Sequence, residues 1–240
     1  MLAILLSIAT AFATPDADSL LTSVDQNMNF DTRSASLQMT VTKGKRVKVY
    51  EMESYGRGSS EAAIEFEAPA RDKGTRMLKR GGEMWTYFPS IEKVQKISGH
   101  MLREGLMGSN LSYEDLLETT NFRELYDATV VGEETVAGRD CWKLELTARS
   151  ADVAYPRRVS WIDKEHLVPV HEDLYASSGT LVKSWTLTQV KEYDGGRKFP
   201  THMLVVDRIQ AGSQTELVFE ELAFSIPLED EIFNQRWLER

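Results

Sequence analysis

Four histidines, His100, His166, His171 and His202, are the side chains of this sequence best suited to proton transfer or metal ligation. Their spacing argues against both uses. No His-x-His or His-Glu-x-x-His occurs, so the usual zinc spacings are missing. Glu165-His166 and His171-Glu-Asp173 flank a strand-turn that would let them meet in space, although a plain surface role is commoner for such residues. Ser90-Ile-Glu-Lys93 has the Ser-x-x-Lys form, but its partner motifs Ser-Asp-Asn and Lys-Thr-Gly are absent. No nucleophile elbow, Walker A loop or dinucleotide fingerprint is present. The carboxylate pairs Glu133-Glu134 and Glu220-Glu221 fall at turns or strand ends, where a solvated role is preferred. Asn110-Leu-Ser112 fits a glycosylation sequon, a match common by chance. Cys141 is the single cysteine, so neither an internal disulfide nor a thiolate metal cluster is available, and a buried apolar thiol is expected. The expectation is a non-enzyme with no cofactor and no metal.

Binding chemistry is better represented. The run from Ser98 to Leu111 places three glycines and two methionines among large apolar residues, with weak periodicity. Glycine gives the backbone freedom and methionine adapts to irregular partners. Met101, Leu102, Leu106 and Met107 are therefore candidate residues of a mobile lid over Gly99 to Asn110, at the mouth of a cavity. The alternative is an ordinary loop leading to a capped helix at Ser112. Trp142, Leu144 and Leu146 share one strand face, and Met84 and Phe88 share another. Those five are the candidate cavity wall.

The elements that must position these residues are mostly strands. Ser36 to Thr42 alternates with Leu37, Met39 and Val41 on one face, and Glu61 to Glu67 with Ala62, Ile64 and Phe66. Further runs lie near 45–55, 74–80, 83–88, 91–98, 157–163, 168–175, 180–191, 202–210 and 214–222. Gly81-Gly82, Ser178-Gly179, Asp194-Gly-Gly196 and Ala211-Gly212 supply turns between them. Three short helices are predicted: Asp16 to Met28 with a stripe of Leu20, Leu21, Val24 and Met28, one starting at the capping-box pattern Ser112-Tyr-Glu-Asp115, and the tail Glu229 to Arg240. About eleven alternating strands create a wide apolar sheet face that a few short helices cover only in part. A strongly curved sheet wrapped around its helices, with an apolar cavity, answers that problem. A filled β-sandwich core without a cavity answers it too.

Composition narrows the function class. The 240-residue chain is 42% apolar and 27% charged, which is globular, and its formal net charge of −9 disfavours nucleic-acid binding. The stretch from Met1 to Ala13 has no charged side chain and ends in Ala11-Phe-Ala13, the small-x-small form of a signal-peptidase site. It is short for a membrane span. Residues 1–13 are read as a signal peptide, and 14–240 as one domain in the periplasm.

Gly81-Gly-Glu-Met-Trp-Thr-Tyr-Phe-Pro89, followed by Val94 and Ile97, resembles the LolA-like outer-membrane lipoprotein-sorting family. So does Leu106-Met-Gly-Ser-Asn-Leu-Ser-Tyr-Glu-Asp-Leu116. Tyr155 to Asp163, Gly179 to Lys183 and Phe233 to Leu238 add to the likeness, which spans nearly the whole mature chain. The resemblance is closest to the branch labelled outer-membrane lipoprotein-sorting protein, not to LolA itself. It implies an unclosed, mainly β half-barrel of antiparallel strands with short helices at its opening. It implies a periplasmic carrier of lipid acyl chains or lipoproteins, only transient membrane contact, and an inner-membrane exporter of the RND (MMPL-like) type as a partner. A periplasmic sensor that binds a protein partner is the alternative. No residue here matches LolA's own cargo-handling positions, so none is carried over.

Overall fold

The computed structural model of the chain describes residues 14–117, 122–151 and 153–240, so the segment read as a signal peptide lies outside the described residues. The described strands are β1 (Thr32–Lys43), β2 (Arg46–Arg57), β3 (Glu61–Ala68), β4 (Arg76–Arg80), β5 (Glu83–Phe88), β6 (Lys93–Ile97), β7 (Tyr126–Val136), β8 (Arg139–Ala148), β9 (Arg157–Asp163), β10 (Pro169–Tyr175), β11 (Leu181–Tyr193), β12 (Arg197–Asp207) and β13 (Ser213–Phe224). All thirteen belong to one sheet in the order β6-β5-β4-β3-β2-β1-β13-β12-β11-β10-β9-β8-β7. Two meanders, β1–β6 and β7–β13, thus meet along a seam where Arg33 sits opposite Phe224 and Lys43 opposite Ser213. The edges β6 and β7 do not pair with each other, so the barrel stays open. A single sheet excludes the sandwich arrangement.

Alternation decides which face is which. Ala35, Leu37, Met39 and Val41 of β1 point to the inner face with Tyr50 and Met52 of β2 and Phe66 of β3. Register shifts at Ser36/Leu37 in the β1–β13 pair and at Glu51/Met52 in the β2–β3 pair place bulges in the middle of the sheet. Such bulges bend the bulged strand and raise its twist, which helps the sheet wrap its contents.

The outer face carries a smaller core of its own. Phe233, Trp237 and Leu238 of the C-terminal tail pack on Ala63 and Leu78, beside Trp85 and Tyr87. The Arg76 guanidinium lies 5.5 Å from the Trp237 ring centroid. The tail is not the single helix that its periodicity suggests. It forms two 3-10 stretches, Asp230–Phe233 and Gln235–Glu239, separated by extended backbone at Asn234, whose side chain caps the second by accepting from the Arg236 N–H at 3.1 Å. Strand β7 also has no counterpart among the strands expected from sequence. It is an edge strand, largely exposed from Val131 to Thr135, and has little apolar pattern to show.

Candidate functional site

The concave face is roofed by two groups of short elements. The first is α1 (Ala17–Met28), capped by Asp16, whose carboxylate accepts from the Ser19 N–H at 3.0 Å. Leu20, Leu21 and Val24 of α1 pack against Leu144, Leu146 and Ile162 of the sheet. The far end of α1 is tied down by Asn27, which donates to the His166 and Leu167 carbonyls at 3.1 Å each and accepts from the Lys198 N–H at 2.9 Å. The short helix α3 (Phe122–Leu125) completes this group.

The second group is the connection between the meanders. Gly99–Arg103 and Leu106–Gly108 are 3-10 turns, followed by α2 (Tyr113–Leu117). The start of α2 is a reciprocal cap: the Ser112 N–H donates to Asp115 at 2.7 Å and the Asp115 N–H donates to the Ser112 hydroxyl at 3.2 Å. Leu106 and Leu111 are buried against the inner-face core of β1–β6. Asn110 is buried and fixes the segment to β13, its amide donating to Ser213 Oγ at 2.8 Å and its Oδ1 accepting from Thr215 Oγ1 at 3.0 Å. The Tyr50 hydroxyl donates to the Met107 carbonyl at 3.2 Å. Gly105 is required for the turn, because a Cβ there would lie 2.0 Å from the Ser109 carbonyl oxygen.

Between the two groups lies a cavity of about 290 Å³. Its floor is Leu187, Phe199, Met203 and Phe219, and its roof is Met28, Leu116 and Phe122. The volume is near the low end of the ~300–1,000 Å³ typical of ligand pockets. Charged side chains reach its wall as well. Asp115 is neutralised by Lys183 at 2.5 Å and accepts from the Tyr155 hydroxyl at 2.6 Å. Arg33 and Lys79 line the same cavity, and burial lowers the pKa of both; Arg33, lowered to about 10, remains a cation at neutral pH.

The nine candidate residues fall around this cavity, and none lines it as it stands. Met84 (2% exposed) belongs to the core shared with Leu106, against which Met101, Leu102 and Met107 pack half-buried. Leu144 and Leu146 are fully covered by α1, and Trp142 packs half-buried beside them with the Lys164 ammonium 4.0 Å from its ring centroid. Phe88 is half-buried at the end of β5. What sequence reasoning missed is the charge inside. Arg33 continues the inward register of Ala35, Leu37 and Met39, and Lys79 follows the inward Met77 by two. A cation at a core-facing strand position is the signal that would have found them.

Away from the cavity, Asp163, Glu165 and His166 bring three metal-type ligand atoms together. Arg139 already occupies the cluster, 2.7 Å from Asp163, and the His166 ring lies 2.7 Å from the same carboxylate oxygen. A guanidinium in that place answers the negative charge that a metal would. His171 instead pairs with Asp173 at 3.3 Å. Burial pushes the Asp163 carboxyl up, but the Glu165 N–H, the His166 hydrogen bond and the Arg139 charge outweigh it and hold the pKa below the ordinary aspartate value. Asp163 therefore adds stability above the unfolded pKa of about 4, and that stability is lost as pH falls through the lower folded value. Urea melts between pH 5 and pH 2 should show wild type losing more stability than Asp163→Asn; parallel curves would mean that the carboxylate is not held this way.

Comparison with known proteins follows the fold. A DUF1329 family protein from Desulfovibrio piger superposes with a TM-score of 0.84 at 28% identity, over 92% of this chain and 97% of that one. A domain described as an outer membrane lipoprotein-sorting protein, from Vibrio parahaemolyticus, gives 0.82 at 24% identity over 93% and 98%. A LolA superfamily protein from Nitrosomonas europaea gives 0.76 at 19% identity over 93% and 100%. The last two likenesses concern the fold alone. No curated protein matches the sequence. A family model with the description "Uncharacterized protein" matches residues 58–240. The chain belongs to that family, and its open barrel is that of the LolA-like outer-membrane lipoprotein-sorting proteins.

Proposed function

We propose that this protein is a periplasmic carrier, without a catalytic step, that holds lipid acyl chains or the acylated end of a lipoprotein and moves them between envelope membranes. The observation that carries the reading is the apolar cavity beneath the short roofing helices. The LolA-like fold supports it. Among the described residues no helix is long and apolar enough to cross a membrane, which is consistent with brief membrane contact. In this reading residues 1–13 direct export, 14–240 act as one domain, and an inner-membrane RND-type exporter is the donor or acceptor.

The driving force is burial of alkyl chain, about 0.8 kcal/mol per CH₂. A cavity of 290 Å³ has room for roughly ten water-sized groups at about 30 Å³ each, hence for part of one chain. Larger cargo requires the 99–117 cover to lift from Met84 and the rest of the inner-face core. The candidate wall then becomes cargo wall, and Met101, Leu102, Leu106 and Met107 compete with cargo for it. Native mass spectrometry with lipid extraction should find acyl species on the freshly purified periplasmic protein. A bound peptide in their place would support a sensor and sink the carrier. Replacing Leu106 and Met107 by Ser should speed transfer of a fluorescent acyl probe between vesicles and protein several-fold, with a smaller change in affinity. Unchanged rates, with slow and cargo-independent hydrogen exchange across 99–110, would make the segment a rigid plug.

A further inference from the structure

Four residues form one cross-strand row on the inner face at the β1–β4 end of the cavity. Arg33 of β1 pairs with Gly56 of β2, Gly56 with Ala62 of β3, and Ala62 with Lys79 of β4. All four line the cavity. The two middle positions carry almost no side chain of their own: the Phe30 ring lies against Gly56, Ala62 offers only a methyl, and a basic side chain stands at each end of the row. At ~4.8 Å between strands the backbones of Arg33 and Lys79 are on the order of 14 Å apart along the sheet. On the concave side of a curved sheet, long side chains from the two ends converge. Gly56 has a second reason to be glycine: a Cβ there would meet the Phe30 ring at 2.8 Å, and Phe30 in turn lies under the Arg33 guanidinium, 4.6 Å from carbon to ring centroid.

Neither cation has a carboxylate partner among the described residues. Three carboxylates share the cavity wall. Asp115 is held by Lys183, and Glu61 by Arg57 at 3.4 Å and Arg80 at 3.7 Å. Glu172 of β10 sits on the other half of the sheet, where Arg158 of the neighbouring β9 lines the same cavity. The β1–β4 end is left with two positive charges. The Arg33 Nε–H is buried without an acceptor, and so is the Trp185 Nε1–H on the adjoining wall. Lys79 is only 7% exposed. Buried charges and donors left unmatched cost stability, so their retention at a cavity wall implies an acceptor that arrives from outside.

We propose that Arg33 and Lys79 form the headgroup subsite of the cavity and select an amphiphile with an anionic phosphate or carboxylate end and a single alkyl chain. The head sits over Ala62, beside the Phe30 ring that covers Gly56, and the chain runs along Leu187, Phe199 and Phe219. Guanidinium and ammonium donors to an oxyanion make charge-assisted hydrogen bonds, strengthened where water is scarce. This rests on the carrier reading and refines its cargo.

The test titrates the full mature protein with four probes of equal chain length: decyl phosphate, decanoate, decanol and decyltrimethylammonium. Inorganic phosphate alone is the fifth arm. Decyl phosphate and decanoate should bind roughly tenfold or more tighter than decanol, and the cationic probe weakest. Lys79→Met and Arg33→Met should each remove most of that preference while decanol binding stays. The ligand-free Lys79→Met protein should melt no lower than wild type, because an unpaired buried cation has been removed; a merely structural lysine would leave the variant less stable. Equal binding of all four chains overturns the anionic subsite and leaves the carrier standing. Binding of inorganic phosphate as tightly as decyl phosphate overturns an amphiphile in favour of a small-anion site. No binding of any decyl chain overturns both.

Discussion

Replacing Leu144 by Ala should cost about 2–5 kcal/mol of stability, with Trp142→Ala costing clearly less. Leu144 is fully buried in β8 beneath Leu20, Leu21 and Val24 of α1, and Trp142 two residues earlier is only half-buried. Truncation removes the transfer energy of the lost methyl groups and leaves a void that a β-strand held on both sides cannot close. Because the same side chain seats the helix, the loss should be accompanied by faster hydrogen exchange along α1. Urea denaturation of the two variants checks the ordering. A cost below about 1 kcal/mol at Leu144 would mean that α1 sits loosely and that the strand face is open to cargo at rest.

The second large effect concerns the cover. Asn110→Ala should lower stability by about 1–3 kcal/mol, because the buried hydroxyls of Ser213 and Thr215 lose their partner in the chain crossing above them. The backbone bond from the Asn110 N–H to Thr215 Oγ1 at 2.9 Å survives the change, so the segment should be loosened without being released. Exchange across 99–112 should rise while α1 stays protected, since different residues hold the two roofing groups. Global loss of protection would show instead that the two groups form one cooperative unit. Release of bound acyl probe should quicken in the same variant.

The sheet was legible because its signal is local. Alternation in Ser36 to Thr42 and Glu61 to Glu67 reads out the inner face directly, and Asp16 and Ser112 announce their helices by capping chemistry. The edge strand β7 was not, since an edge exposed to water on much of its length needs no apolar pattern. The tail was misread because Phe233, Trp237 and Leu238 satisfy a helical stripe as well as two 3-10 turns, and tertiary packing on β3–β5 decides between them. The cavity was harder still. Its floor gathers Leu187, Phe199 and Phe219 from three strands, and the two basic side chains without a carboxylate partner among the described residues, Arg33 and Lys79, are far apart in sequence. Periodicity identifies a face, whereas a gap in a roof depends on where the helices stop.

The seam between β1 and β13 has a kinetic consequence. Each meander is built from hairpins between sequence neighbours and involves only short loops to close. Joining the meanders requires Arg33 to find Phe224 and Lys43 to find Ser213, the longest loop closure in the molecule. Such non-local pairing slows folding. A chain emerging N-terminus first must also keep β1 waiting with one edge unpaired until the last strand is released. During that interval Leu37, Met39 and Val41 have a sheet on one side only, and the half-formed barrel is at its most exposed to pairing with another chain.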